Sequence, residues 1–300
     1  MYKLIKIDTI LVMIDLHTHS NISDGELSPA MLIKQAVKQG LTAIALTDHD
    51  TLGGLDSAKT EAMAANIHFI PGIEINIDWS GSSGGEFHLL GLGLHKPSSA
   101  FVAAVQALSL KRVSRNRQIL EKMYEFSMIT DIDTAWAELE TIAGGQKGTS
   151  LGRLHFASLL IKKRIVKNVS QAFARYLGTG KPLFVPKEGM KFEEAVALIR
   201  QSGGIPVLAH PISLFVSWGK LPDLIKSLKN QGLMGLEAWH PTAKPGSCRR
   251  LEVLAKELGL YATEGSDYHG SVRPDRKLGY SAKGRKIDDA ILQAIPELVS

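Results

Sequence analysis

Short apolar runs alternate with helix-length segments along most of this chain, and this alternation restricts its fold more than any other feature. Each run is apolar on both faces and is bounded by polar residues, which is typical of buried parallel strands. The seven runs cover residues 13–16, 42–47, 68–77, 87–94, 205–209, 234–239 and 260–263. Repeated strand–helix units of this kind predict a parallel barrel or a doubly wound sheet.

The segments between the apolar runs carry recognisable helix ends. Ser28 suits an N-cap, Pro29 suits the first turn, and Gly40 is typical of a helix stop. A later helix is predicted to begin near Phe192 and to end at Gly203-Gly204. Helices therefore fill the gaps between strands, as an α/β fold requires.

The alternation stops between residues 96 and 186, where apolar residues recur only at helical spacing. We predict an all-helical insertion over 96–186, and we predict that residues 1–95 and 187–300 form the two parts of the α/β domain. Residues 96–190 carry fifteen Lys and Arg against seven Asp and Glu, a net charge of +8, which leaves −3 for the rest of the chain. The insertion is therefore predicted to be a basic lid over an anionic substrate.

The composition excludes several classes of protein. A single cysteine, Cys248, allows neither a disulfide framework nor a thiolate zinc site. No apolar run approaches the roughly 20 residues that a membrane span needs. In residues 1–14, Asp8 interrupts the apolar stretch and no small-residue cleavage site follows, so we interpret this segment as an extension plus the first strand. Either Met1 or Met13 is the initiator, and we expect a cytoplasmic protein.

Histidines and carboxylates lie where the predicted strands end. The motifs are Asp15-Leu16-His17-Thr18-His19 with Asp24, Thr47-Asp48-His49-Asp50, Gly72-Ile73-Glu74, His88, Ala209-His210-Pro211 and Ser266-Asp267-Tyr268-His269. A single such histidine is usually incidental, but six strand ends with ligand-type residues would require six coincidences. Because strand ends meet on one face of such folds, and because His17 and His19 point to the same side of a strand, these groups predict a polynuclear metal site. Imidazoles and carboxylates without thiolates suit Zn, Mn or Fe.

Taken in order, these motifs resemble those of the PHP (polymerase and histidinol phosphatase) family of metal-dependent phosphoesterases, over nearly the whole chain. The resemblance implies a distorted (β/α)7 barrel with two or three divalent metal ions, Mn being expected before Zn or Fe. It also implies the ligands of each ion. These are His17, His19, Glu74 and Asp267 for the first, Asp24, His49 and His269 for the second, and Glu74, His88 and His210 for the third.

Several roles around these ligands follow from the same resemblance. Glu74 is expected to bridge two ions, and Asp267 is expected to act in catalysis as well as in metal binding. Asp24 stands where many relatives have histidine, and this difference is expected to alter the identity or the occupancy of the ion that Asp24 binds. Asp15 and Asp48 are expected to orient ligand imidazoles, the alternative being that they only accept hydrogen bonds from backbone amides.

One subgroup of the family carries an all-helical insertion between the fourth and fifth strands. Its motifs are matched by Gly152-Arg153-Leu154-His155, by Ala172-Phe173-Ala174-Arg175-Tyr176-Leu177-Gly178 and by Val185-Pro186, although Leu154 replaces the usual proline. The chain is therefore similar to nucleoside 3′,5′-bisphosphate phosphatases, which release the 3′-phosphate and leave a 5′-nucleotide. Some members of that subgroup also degrade short 5′-phosphorylated RNA from its 5′ end.

The resemblance to this subgroup also suggests which residues bind substrate. Arg153 and His155 are predicted to bind a substrate phosphate, and His155 is a candidate proton donor to the leaving oxygen. Arg115, on a basic stretch that also contains Arg112, and His240 are predicted to face the same pocket. The alternative is structural for each residue, with Arg153 at the surface and His155 as a polar contact between helices.

We therefore predict a phosphoesterase that hydrolyses the 3′-phosphate of nucleoside 3′,5′-bisphosphates through a metal-bound hydroxide. The alternatives are a 5′→3′ exoribonuclease acting on short RNA, a phosphatase for another small monoester such as histidinol phosphate, and a barrel that binds without catalysis. Aromatic residues make up 6% of the chain, which argues against a long stacking track for single-stranded RNA. The expected partner is a small phosphorylated nucleotide or short RNA, with no membrane and no obligate protein partner.

Overall fold

The computed structural model describes residues 12–79, 85–144 and 151–299. Most of the predicted N-terminal extension, residues 1–11, lies outside the described residues. None of the helices in the described part of the chain combines the length and the apolar character needed to cross a bilayer.

All seven predicted runs form strands, and these strands lie in one sheet in chain order. Within the described residues they are β1 (Met13–Asp15), β2 (Leu41–Leu46), β3 (His68–Asn76), β4 (His88–Leu92), β5 (Ile205–Leu208), β6 (Gly235–Trp239) and β7 (Tyr261–Glu264). Just beyond β1 and β7, Thr18 pairs with Tyr268 in a parallel bridge, and the amide of His19 donates to the Tyr268 carbonyl at 3.0 Å. The sheet is therefore nearly closed into a barrel, which confirms the predicted barrel rather than an open doubly wound sheet.

The prediction of an all-parallel sheet is wrong for one strand. β4 runs antiparallel to both β3 and β5, while the other neighbouring pairs are parallel. The connection from Asn76 to His88 is too short for the helical crossover that a parallel pair would need. The reversal pairs His88 with Asn76, so the first residue of β4 lies at the carboxyl end of β3. His88 consequently shares a face with the carboxyl ends of the parallel strands.

Helices fill the connections much as the sequence predicts. In the described residues the α-helices are α1 (Pro29–Gln39), α2 (Leu55–Ala65), α3 (Ser99–Glu125), α4 (Ile132–Ile142), α5 (Arg153–Lys162), α6 (Val169–Ala172), α7 (Phe192–Gln201), α8 (Leu221–Asn230), α9 (Pro245–Glu257) and α10 (Ala290–Ala294). The predicted ends of α1 are confirmed: the Ser28 side chain accepts a hydrogen bond from the amide of Met31, and Gly40 has a φ of 84°, which favours glycine. A short π-helix, Phe173–Leu177, continues α6.

The long helix α3 joins two hydrophobic cores. Its first half contributes Phe101 and Val105 to the core that packs against β3, β4 and β6. Its second half contributes Ile119 and Met123 to a separate core built from residues 119–185. A single helix thus connects the barrel to the second core, and residues 119–185 are called the helical region below. The domain division at residues 96 and 186 stays a prediction.

Removing the aromatic side chain that anchors α3 to the barrel should lower stability strongly. Phe101 is fully buried, whereas Phe126, just past the end of the same helix, is 52% exposed. We expect Phe101→Ala to lower the free energy of unfolding by about 3–5 kcal/mol because it leaves a cavity. Phe126→Ala should change it by about 0.5 kcal/mol or less. Denaturant titrations monitored by circular dichroism measure both, and equal losses would contradict this packing.

Candidate metal centre

One buried carboxylate lies at the centre of the predicted site. Glu74, near the end of β3, is 1% exposed, and each of its oxygens faces several imidazole rings. Its Oε1 lies 2.9 Å from one nitrogen on each of two rings, and its Oε2 lies 3.0–3.3 Å from one nitrogen on each of three others. The five rings belong to His88, His210, His17, His19 and His49. Histidines from four strand ends that are distant in sequence therefore meet at one side chain.

Two further carboxylates complete the cluster. Asp267 Oδ1 lies 3.1 Å from His19 Nε2 and 3.4 Å from His269 Nδ1. Asp24 Oδ1 lies 3.2 Å from His269 Nε2 and 3.9 Å from His49 Nε2. The carboxylates and imidazoles thus form a continuous layer at the carboxyl end of the barrel.

The donor atoms fall into three groups in which every atom lies within 4.8 Å of the others. The groups are His17, His19, Glu74 and Asp267; His19, Asp24, His49 and His269; and His49, Glu74 and His88. The first group has the composition predicted for the first ion, and the second adds His19 to the predicted set. The third group contains His49 in place of the predicted ligand His210. His210 nevertheless contacts the same Glu74 oxygen as His88. The assignment of ligands to individual ions stays a prediction.

The hydrogen bonding of these groups fits divalent cations. Within the described ranges, several buried atoms have no hydrogen-bond partner, namely His19 Nδ1, Asp24 Oδ1, His49 Nδ1, Glu74 Oε2 and both ring nitrogens of His88. In addition, His17 Nε2 and His19 Nε2 lie only 3.1 Å apart. Buried polar atoms without partners are costly, and converging imidazole and carboxylate donors are the ligands that Mn, Zn and Fe take. These residues can therefore hold divalent metal ions.

Glu237 on β6 contacts two of the predicted ligand histidines. The Nδ1 of His17 donates to Glu237 Oε1 at 2.9 Å, and the backbone amide of His210 donates to Glu237 Oε2 at 2.7 Å. Burial opposes the ionisation of Glu237, but the charge and hydrogen bond of His17 hold its pKa below the usual value. The Nε2 of His17 is thereby directed at Glu74 and Asp267, which is how carboxylates position metal-ligating imidazoles.

The expectation that Asp15 and Asp48 orient imidazoles is wrong. Asp15 accepts hydrogen bonds from the backbone amides of His17, Ser266 and Gly279, and burial raises its pKa to about 6. Asp48 accepts from the amide and hydroxyl of Ser20 and from a second serine hydroxyl in the same loop. Both carboxylates hold loops in place beside the ligands. Glu237, by contrast, contacts the ring of His17 directly.

Three residues of the site have strained backbone conformations. Asp50, His210 and Asp267 have φ values of 48°, 28° and 50°, in the region that L-residues rarely adopt. Such strain is typical of functional sites, where the surrounding structure over-determines the chain path. At His210 the Glu237 hydrogen bond to the backbone amide helps to hold this conformation.

A cavity of about 210 Å³ opens above the cluster, and two of the four predicted substrate residues line it. Arg153 lines the cavity, pairs with Glu86 and lies 5.6 Å from the centre of the Phe173 ring. His240 also lines it, and its Nε2 lies 3.1 Å from Asp267 Oδ2. The barrel and the helical region thus both contribute to its wall.

The other two predicted substrate residues lie beside this cavity rather than in its wall. His155 lines an adjoining cavity, and its Nδ1 accepts a hydrogen bond from the amide of Gly152 at 2.9 Å. Arg115 lines a smaller side cavity, and its Nε donates to the Val185 carbonyl. Their roles in substrate binding stay predictions.

The structure adds cationic residues to the cavity that the sequence analysis did not select as substrate-binding. Arg112, paired with Asp50, and Arg276, paired with Asp267, both line it, as does Lys187. Lys187 directly follows the Val185-Pro186 motif, a position that could have drawn attention to it. Arg276 lies in a loop after β7 with no recognisable pattern, so nothing in the sequence distinguished it.

Comparison with known proteins relates this architecture to phosphoester chemistry. The PHP domain family model matches residues 15–179. A 5′-3′ exoribonuclease of Haemophilus influenzae is 34% identical over 85% of this chain and 89% of its own length. A 3′,5′-nucleoside bisphosphate phosphatase of Chromobacterium violaceum is 30% identical over 89% of this chain and 91% of its own length. A solved structure from Bifidobacterium adolescentis, described as a metal-dependent phosphoesterase, superposes with a TM-score of 0.81 at 27% identity and covers 94% of both chains.

Neutralising Glu237 should weaken metal binding without removing a ligand. We expect Glu237→Gln to lower the affinity for the tightest-bound ion by about 10- to 100-fold, because His17 and His210 lose their charged partner. The matched control is Glu264→Gln, a buried carboxylate at the end of β7 that pairs with Arg285 and contacts none of the ligands. Competition with a chelator, followed by elemental analysis, measures both variants. Equal metal affinity in Glu237→Gln and wild type would show that this carboxylate does not position the ligands.

Proposed function

Because this chain belongs to the PHP domain family and is a metal-dependent phosphoesterase, we propose that it removes the 3′-phosphate from nucleoside 3′,5′-bisphosphates. One observation carries the proposal. A single cavity is lined both by histidines and carboxylates that could hold metal ions and by arginine and lysine side chains. A phosphate ester carries negative charge on several oxygens, so it is the class of substrate that such a cavity attracts.

The metal-ligating residues would supply the reactive end of the site. Divalent ions bound there lower the pKa of a coordinated water and neutralise charge on phosphoryl oxygens. The residues that would hold them are His17, His19, Asp24, His49, Glu74, His88, His210, Asp267 and His269. Their burial keeps bulk water from competing for the ions and strengthens each electrostatic interaction with the substrate.

Arg153 is prepared for phosphate binding before substrate arrives. Glu86 fixes one side of its guanidinium, and the Phe173 ring packs against it. A guanidinium held in this way can bind two phosphoryl oxygens at once and needs little reorganisation in the transition state. Arg276, held by Asp267, presents a second cation next to the metal ligands.

His155 is proposed to hold a proton near the leaving oxygen. The amide of Gly152 donates to Nδ1, so the neutral ring carries its proton on Nε2. Burial lowers the pKa of His155, which keeps the ring neutral near pH 7. The adjoining cavity that it lines shares Asp24 and Leu154 with the metal cavity, so the leaving nucleoside would pass close to it.

A 5′→3′ exoribonuclease acting on short RNA is the second candidate. The relative from Haemophilus influenzae carries that name, and the two adjoining cavities give room for a nucleotide on each side of the cleaved bond. The same metal ligands and cations would serve both reactions, since a terminal phosphate and an internucleotide phosphate can occupy the same position.

The reaction is tested with Mn-loaded protein and adenosine 3′,5′-bisphosphate. We expect release of inorganic phosphate and accumulation of AMP with its phosphate on the 5′ oxygen, identified by chromatography. A parallel assay with a 5′-phosphorylated dinucleotide compares kcat/KM for the two candidate reactions. Accumulation of adenosine 3′-phosphate would contradict the proposed position of cleavage.

The dependence on the metal ligands is tested in the same assay. His17→Ala with His19→Ala should lower kcat/KM by more than the roughly 100-fold expected for an outer positioning residue. His95→Ala is the matched control, because His95 is exposed and belongs to none of the three donor groups. Full activity in the double variant would contradict the proposed role of these two histidines in the reaction.

A further inference from the structure

The two carboxylate oxygens of Asp267 contact different neighbours. Its Oδ1 lies 3.1 Å from His19 Nε2 and 3.5 Å from His17 Nε2, the two imidazoles of the first donor group. Its Oδ2 lies 3.1 Å from His240 Nε2 and also accepts a hydrogen bond from Nη1 of Arg276. One oxygen of Asp267 therefore faces the predicted ligands, while the other is engaged by side chains that follow β6 and β7.

The same guanidinium nitrogen also contacts the backbone of Asp267. Nη1 of Arg276 donates to the Asp267 carbonyl oxygen at 3.1 Å, and Nδ1 of His269 donates to that oxygen at 2.7 Å. Because Nδ1 is engaged in this way, the His269 ring directs its Nε2 at Asp24 Oδ1, 3.2 Å away in the second donor group. Arg276 thus contacts a residue whose carboxylate belongs to the first group and whose carbonyl orients a ring of the second.

The backbone conformation of Asp267 needs support from its surroundings. Its φ of 50° lies in a region that L-residues rarely adopt, so neighbouring contacts must hold it. The side chain of Arg276 is 8% exposed, and its amide donates to the Arg273 carbonyl at 3.0 Å. Three residues later, the amide of Gly279 donates to Asp15 Oδ2 at 2.7 Å. The loop that carries Arg276 is therefore anchored on both sides of this residue.

We propose that Arg276 is a positioning residue of the metal centre, which holds Asp267 so that the first two donor groups keep their relative orientation. A cation beside a metal ligand by itself lowers the affinity for divalent ions, because like charges repel. A partner that orients the ligands raises that affinity. These two effects have opposite signs, so the metal affinity of a variant distinguishes them. The inference concerns metal binding and does not depend on which phosphate ester is cleaved.

Replacing Arg276 with an apolar residue of similar length tests the positioning role. Arg276→Met removes the charge and both hydrogen bonds, and we expect the affinity for the tightest-bound Mn to fall about 10- to 100-fold. Arg276→Lys keeps the charge and can still donate to Asp267, so its affinity should return to within about 10-fold of wild type. Competition between the full chain and a chelator, followed by elemental analysis, measures these affinities without substrate.

Arg273→Met is the matched control. Arg273 belongs to the same loop and lines the same cavity, but it pairs with Asp275 rather than with a predicted ligand. Removing this charge should leave the Mn affinity within about 2-fold of wild type. An affinity of Arg276→Met equal to or above that of wild type would overturn the positioning role, because repulsion of the ions or a contact with substrate would then account for Arg276.

A spectroscopic measurement separates positioning from a general loss of structure. The visible absorption of the cobalt-substituted protein depends on the number and geometry of the metal ligands. We expect Arg276→Met to change this spectrum, Arg276→Lys to restore most of it, and Arg273→Met to match wild type. An unchanged spectrum in Arg276→Met would contradict the inference, whereas failure of the phosphatase reaction alone would contradict only the proposed function.

Circular dichroism of the metal-free variants checks that each one is folded. Arg276→Gln replaces Arg276→Met if the latter does not fold, because its amide keeps a donor but is too short to make both contacts with Asp267. Its Mn affinity should also fall, by about 10-fold, and an affinity equal to that of wild type would overturn the proposal.

Discussion

The contact of one buried carboxylate with five imidazole rings is the interaction on which the rest of this structure depends. Glu74 brings together residues from the ends of β1, β2 and β5 and from the start of β4, at distances of 2.9–3.3 Å. Burying such a cluster is costly, because several of its donor atoms have no hydrogen-bond partner in the part of the chain that the structure describes. Its composition makes sense as a site that divalent cations complete.

The barrel makes this convergence possible through one departure from regular topology. In an all-parallel barrel, the first residue of a strand lies at the opposite end from the catalytic face. β4 is reversed, so His88 faces Glu74 from the neighbouring strand. The carboxylate of Glu237 accepts hydrogen bonds from the His17 ring, after β1, and from the His210 backbone amide, after β5. Strand direction and one positioning carboxylate together set the geometry of the ligands.

The helical region contributes positively charged side chains to a cavity whose histidines and carboxylates come from the barrel. Because α3 packs into both hydrophobic cores, it fixes Arg112 against Asp50 at the cavity wall. Arg153, at the start of α5, enters from the same side. Cationic side chains of the helical region and the histidines and carboxylates of the barrel therefore line one cavity. Among the residues that the structure describes, Lys187 differs from these arginines in forming no ion pair.

The sequence by itself determined the seven strands, the ends of α1 and the strand-end histidines and carboxylates that meet at one site, because apolar runs, capping residues and strand-end histidines are local signals. Only the tertiary structure decided the direction of β4 and the choice of Glu237, rather than Asp15 or Asp48, as the partner of a ligand ring. It also decided that Arg115 lies beside the cavity while Lys187 and Arg276 line it. Which way a polar side chain points depends on how elements distant in sequence pack against each other, and no local pattern records that packing.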